Sequence, residues 1–207
     1  MRTPILILAL CALLAGCAAP QRPDADPETV ARVAYRDAGA PSVTLITVVN
    51  NRTGQGGHTA LMVNASERVI FDPAGSFYAD IVPERRDVLY GISPRIFQAY
   101  RSAHARETFH VVTQKVDVSP EQAQRAYQLV TGNGRVPGAL CANATSSILR
   151  QIPGFSEIEV TYYPVKLQEQ FAQIPGVVTD KYYENDSEDL KTGLADGNAA
   201  LNTSPAF

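Results

Sequence analysis

The chain of 207 residues contains no tryptophan, two methionines, three cysteines and three histidines. So few cysteines exclude a disulfide-stapled scaffold. With 18 Lys+Arg against 21 Asp+Glu the formal net charge is −3. There is therefore no basic excess of the kind that binds nucleic acid. No phosphate loop of the Gly-x-x-x-x-Gly-Lys kind occurs, and no Gly-x-Ser-x-Gly elbow. The histidines, His58, His104 and His110, lack the spacing of metal ligands. Neither a metal nor another cofactor is expected. With 45% hydrophobic and 19% charged residues the balance is that of a globular chain, long enough to bury a core.

The one apolar run near the start, Ile5 to Leu14, is too short for a comfortable membrane span, which takes about 20 residues. Behind Arg2 it has the form of a secretory signal. It ends in Leu14-Ala15-Gly16-Cys17, which resembles the lipobox of bacterial lipoproteins. The resemblance implies removal of residues 1–16 and acylation of Cys17. Several acyl chains hold a protein stably on a membrane, at about 0.8 kcal/mol per buried CH₂. Ala18 is not the aspartate that resembles an inner-membrane retention signal. The expected location is the outer membrane, facing the periplasm. A proline- and alanine-rich stretch to residue 41 reads as a tether, with a short helix at 28–36. Of the cysteines only Cys141 then remains unaccounted for, a thiol without a partner in an oxidising compartment and worth flagging.

From Ser42 the texture is β-branched. Strands are expected at Ser42–Val49, His58–Val63, Arg68–Asp72, Thr108–Val116 and Ile158–Tyr162. A helix is expected over Pro94–Arg101. Another follows Ser119-Pro120-Glu121-Gln122, a serine cap with proline first and glutamine third, and stops at Gly132. Further helices begin near Cys141 and at Pro164. The polar stretch 179–207 reads as disordered. The class is α+β, a small antiparallel sheet packed against helices over residues 42–178.

Cys141 falls where a glycine-containing loop becomes a helix. The positive end of the helix dipole and the free N–H groups there favour thiolate, and those N–H groups suit an oxyanion. A free cysteine is also a common inert core residue. His58 opens a strand directly after Gly56-Gly57, a position suited to a general base. A helix-start cysteine and a strand-start histidine are the parts of a papain-like site, here with His first. In that order, Gly-His-Thr-Ala-Leu-Met-Val and Leu-Cys-Ala-Asn-Ala-Thr resemble the permuted NlpC-like cysteine hydrolases, which include the lecithin retinol acyltransferase group and several bacterial lipoproteins. The resemblance covers roughly residues 42–155. It implies a permuted papain-like fold and thiol-based hydrolysis or transfer of an amide, peptide or ester acyl group, with cell-wall peptide as one substrate. It implies Cys141 as nucleophile, His58 as base and a polar orienting residue on the strand Arg68–Asp72, best filled by Asp72. Pleat parity leaves that last assignment open. A turn of three loop residues after the His58 strand puts Asp72 on the face of His58, and one of four turns it away. His110 is then the substitute. Asn143 reads as a helix cap, and His104 has no supporting context. The alternative function is a non-catalytic envelope lipoprotein, a binding or assembly module in which Cys141 is buried and inert.

Overall fold

The computed structural model describes residues 22–203; residues 1–16, expected as a signal segment, and Cys17 lie outside the described residues. Its sheet opens with β1 (Ser42–Asn50), followed by β2 (Gly56–Asn64) and β3 (Arg68–Phe71). Two very short strands, β4 (Glu84–Arg85) and β5 (Val88–Leu89), make a hairpin. Further along lie β6 (Phe109–Asp117) and β7 (Val178–Tyr182). All pairings are antiparallel, in the order β4-β5-β3-β2-β1-β6-β7. The helices are α1 (Pro27–Arg32), α2 (Pro94–His104), α3 (Pro120–Gly132), α4 (Cys141–Leu149), α5 (Pro164–Phe171) and α6 (Leu190–Thr203). The α+β class holds, with a seven-stranded sheet larger than expected.

Eight consecutive residues of β1 are buried, as happens when both faces of a strand are covered. Val43, Leu45, Leu61, Val63, Val69 and Phe71 point to one face and pack with Val130, Ile148, Leu149, Leu167 and Phe171 of α3, α4 and α5. Ile46, Ala60, Met62 and Ile70 point to the other and pack with Ile96, Tyr100 and Ala103 of α2 and Leu201 of α6. Strand alternation thus assigns His58 and Asp72 to the α2 side. The serine cap of α3 forms the expected reciprocal box with Gln122, and Ser93 caps α2 ahead of Pro94.

Three expectations meet a different structure. Residues 158–162 form no strand. The edge of β6 they would need is taken by β7, and Thr161 is held instead by its N–H donating to Ser146 Oγ. Residues 179–203, expected as a polar tail, supply most of β7 and all of α6. Their acidic groups find cations: Asp180 pairs with Arg101 at 3.0 Å and Asp186 with Arg106 at 3.7 Å. Gly193 leaves the space that the Arg106 guanidinium fills, 1.8 Å from where a Cβ would sit. The expected tether is laid against the domain from Arg22 onward. Ala25 N–H donates to Glu84 O, Arg68 N–H to Tyr35 O, and Arg135 bridges to Asp24 at 2.7 Å. Among the described residues no helix is long and apolar enough to cross a membrane.

Leu149 is fully buried in the α3–α5 layer. Leu149→Ala leaves a cavity there, and a loss of about 2–5 kcal/mol is expected in urea unfolding, with little change in the slope.

Candidate functional site

Each candidate residue is delivered by a break in regular structure. At the start of β2 the register slips, Val48 facing His58 but Val49 facing Gly56, a bulge that re-aims the side chains beside it. The two glycines are required by close packing: a Cβ on Gly56 would lie 2.6 Å from Pro164, and one on Gly57 3.1 Å from the Phe109 ring. His58 emerges from this bulge onto the α2 face.

Asn64 pairs with Arg68, so three residues turn the chain between β2 and β3. That register puts Asp72 level with Ala60, diagonal to His58 and on its face, a spacing that paired side chains can span. β3 stops at Phe71. Asp72 N–H then donates to Asp87 O at 2.8 Å, and Asp72 O accepts from Gly75 N–H at 2.9 Å. A Cβ at Gly75 would fall 1.8 Å from the Asp72 carboxylate, so the turn must be glycine for that carboxylate to keep its place.

Cys141 arrives through Pro137-Gly138-Ala139-Leu140, with Leu140 N–H donating to Pro137 O at 3.3 Å and Ala139 in the left-handed region at φ 64°. Such a conformation costs of order 1–3 kcal/mol for a residue with a Cβ. Asp87 braces this loop from the hairpin turn: its carboxylate accepts Val136 N–H at 2.8 Å and Ala74 N–H at 3.3 Å. Leu140 caps α4 with no side-chain hydrogen bond, so Asn143 does not serve as the expected cap and the first N–H groups of the helix are left for other acceptors.

The structure thus brings His58, Asp72 and Cys141 together. His58 Nε2 lies 2.7 Å from Asp72 Oδ1. His58 and the backbone N–H groups of Thr59 and Ala142 lie near enough to the Cys141 thiol to act on its ionisation. With Nε2 taken by Asp72, Nδ1 is the nitrogen that serves the thiol. Burial works against charge on His58, but the Asp72 carboxylate and Cys141 outweigh it and push His58 up to about 10. Burial also opposes charge on Asp72 and Cys141, yet both are drawn below their ordinary values, Asp72 by His58, His104 and Tyr100, and Cys141 by His58 and the two N–H groups. Each group thus favours the charged form of its neighbour, against the burial that opposes charge on all three.

Two members of the cluster were not foreseen. Tyr100 of α2 donates its hydroxyl to Asp72 Oδ1 at 2.7 Å. His104, one turn later on the same helix, stacks parallel to His58 with ring centroids 5.8 Å apart. Burial, with His58 nearby, keeps His104 below its usual value. The i, i+4 spacing of Tyr100 and His104 was the available signal; nothing in the chain order tied it to Asp72. His58, Asp72 and His104 each offer a ligand atom within 4.8 Å of the others, and are the group among the described residues able to hold a metal. His110 stands apart, its Nδ1 at 2.7 Å from Asn51 Oδ1 and its ring on Tyr183.

Comparison of the chain with models of known protein families, with curated proteins and with solved structures gave no match. The functional reading therefore rests on the geometry.

The ion pair sets a pH window. His58, raised above an unfolded value of about 6.5, stabilises fully below that pH and loses its contribution as pH rises through about 10. Asp72, lowered from about 3.9, stabilises above that pH and loses its contribution as pH falls through its folded value. The stability gap between wild type and Asp72→Asn is therefore expected to be widest between about pH 4 and 6.5 and to close toward pH 10, read from urea midpoints. Gly75→Ala displaces the same carboxylate, and the His58 pKa, followed by NMR, is expected to fall in both variants.

Proposed function

We propose that this protein is a cysteine-dependent hydrolase or acyltransferase of permuted papain-like architecture, acting on an amide, peptide or ester acyl group. The observation that carries the reading is the grouping of Cys141, His58 and Asp72, with His58 Nε2 2.7 Å from Asp72 Oδ1 and close enough to the thiol to act on its ionisation. A buried cysteine with only a packing role has no need of an imidazole, a carboxylate behind it and two N–H groups on its sulfur. The chain order also fits: histidine on β2, its carboxylate just past β3, and the nucleophile at the start of α4.

In the proposed reaction Cys141 Sγ attacks the carbonyl carbon and the carbonyl π electrons move to oxygen. N–H groups at the start of α4, which no side chain caps, receive that oxyanion. As the tetrahedral species collapses, the bond to the leaving group breaks and His58 Nδ1–H supplies its proton. A thioester remains. His58, now neutral, takes a proton from water or an acceptor hydroxyl or amine, which displaces the thiolate. Asp72 holds the ring with Nδ1 toward sulfur and stabilises the imidazolium. Tyr100, bonded to the same carboxylate oxygen, fixes its position.

The N-terminal motif supports a lipid-anchored protein of the bacterial envelope, attached through Cys17, probing the periplasm from the outer membrane. Cell-wall peptides and the acyl groups of lipids or proteins are the substrates such a place offers. One observation favours the second reading, a binding or assembly module: Cys141 is only 9% exposed.

The deciding measurement is the rate of iodoacetamide alkylation of Cys141 against pH, in protein produced without residues 1–16. Fast reaction with a thiolate pKa below the ordinary 8.5 is expected, with a large loss at neutral pH in His58→Ala. Turnover of an activated ester or aryl thioester is expected to vanish in Cys141→Ala and to fall by about 10²–10⁴ in His58→Ala. A thiol that reacts only on unfolding would sink the enzyme and leave the module.

A further inference from the structure

His104 is the half-buried titratable group in this cluster for which the proposed reaction has no use. It is held with evident specificity. Its Nδ1 donates to the backbone carbonyl of Tyr100 at 2.8 Å. That bond fixes the tautomer and leaves Nε2 with a free lone pair, the arrangement found behind histidines that bind metals. Its ring lies parallel to that of His58, and the ligand atoms of His58, Asp72 and His104 all lie within 4.8 Å of one another.

We propose that His58, Asp72 and His104 form a binding site for zinc, and that filling it closes the thiol site. Two imidazoles and one carboxylate are a donor set that zinc accepts, with water as fourth ligand. Bonds of about 2.1 Å in a tetrahedron put donor atoms roughly 3.4 Å apart. The 2.7 Å contact between His58 Nε2 and Asp72 Oδ1 must open by about 0.7 Å, while His104, within 4.8 Å of the others, must close by up to about 1.4 Å to reach that tetrahedral spacing. Of the three ligands, His104 alone also lines a cavity of about 340 Å³, with Ser76, Arg106 and Glu188. One zinc ion enters and the proton on His58 Nε2 leaves. No electron changes hands.

This site differs from the simple chelation of zinc between a reactive cysteine and its histidine. It uses Nε2, on the side of the ring away from Cys141, and it needs a residue from α2. Once Nε2 is bound to zinc it no longer pairs with Asp72, and the imidazolium that the thiolate requires cannot form. The inhibitory consequence rests on the hydrolase reading; the binding does not.

The test is calorimetric titration with Zn²⁺, and with Co²⁺ for its visible ligand-field spectrum. It compares wild type, Cys141→Ala, His104→Ala and His104→Gln, the last a near-isosteric variant in case the alanine perturbs folding. One ion per chain is expected in wild type and in Cys141→Ala, with affinities within about threefold of each other. Both His104 variants are expected to bind at least tenfold more weakly. Absence of uptake by wild type, loss of uptake in Cys141→Ala, or affinity untouched by both His104 variants overturns the proposal. If thiol-dependent turnover is found, zinc is expected to abolish it at the concentration that fills the site and a chelator to restore it. Should no turnover exist, the titrations still decide the site, so the two ideas fail separately.

Discussion

The ion pair between Asp72 and His58 is the contact on which the rest of the site is arranged. Neither residue is comfortable alone. Asp72 is 5% exposed, and a carboxylate so placed is expensive unless a cation and hydrogen bonds compensate it. His58 supplies the charge, and the Tyr100 hydroxyl shares the same oxygen. The backbone around Asp72 is committed in both directions, to Asp87 and to Gly75. With the pair in place the thiol of Cys141 faces a fixed positive charge, and its ionisation follows from that placement rather than from any feature of the cysteine itself.

Asp87 shows how a distant part of the sheet enters this arrangement. It sits in the two-residue turn between β4 and β5, where Arg86 and Asp87 both have positive φ, 53° and 61°. Tight hairpins favour that geometry because it matches strand twist. The carbonyl of Asp87 anchors the backbone of Asp72, while its carboxylate holds the loop that leads to Cys141. One buried acidic residue therefore ties the backbone of Asp72 to the loop that leads to Cys141.

Much of the architecture was legible from local pattern. The strand runs at Ser42, His58 and Arg68, the serine box of α3 and the helix starts at Pro94, Cys141 and Pro164 all appear where the residues suggested. These are short-range effects of alternation, capping and proline geometry. What was not legible depended on distant partners. The run 158–162 has strand composition but no vacant edge. The acidic stretch after Asp180 becomes ordered because arginines on α2 and beyond it await it. Within the site, Cys141 and His58 were suggested by their places at element starts. Asp72 hung on the length of a turn, three residues and not four. His104 and Tyr100 were hidden, because what matters about them is which face of the sheet α2 covers.

Cys141, His58 and Asp72 come from three separated stretches, joined only once β2, β3 and the hairpin have paired and α4 has docked. Until then Cys141 is an ordinary thiol with an ordinary pKa, mostly protonated at neutral pH. A chain that crosses a membrane unfolded would thus carry its reactive sulfur in a quiescent form through the interval when stray oxidation or acylation does most harm. On the proposed reading, ignition of the thiol follows the pairing of the sheet, because the groups that act on it meet only then.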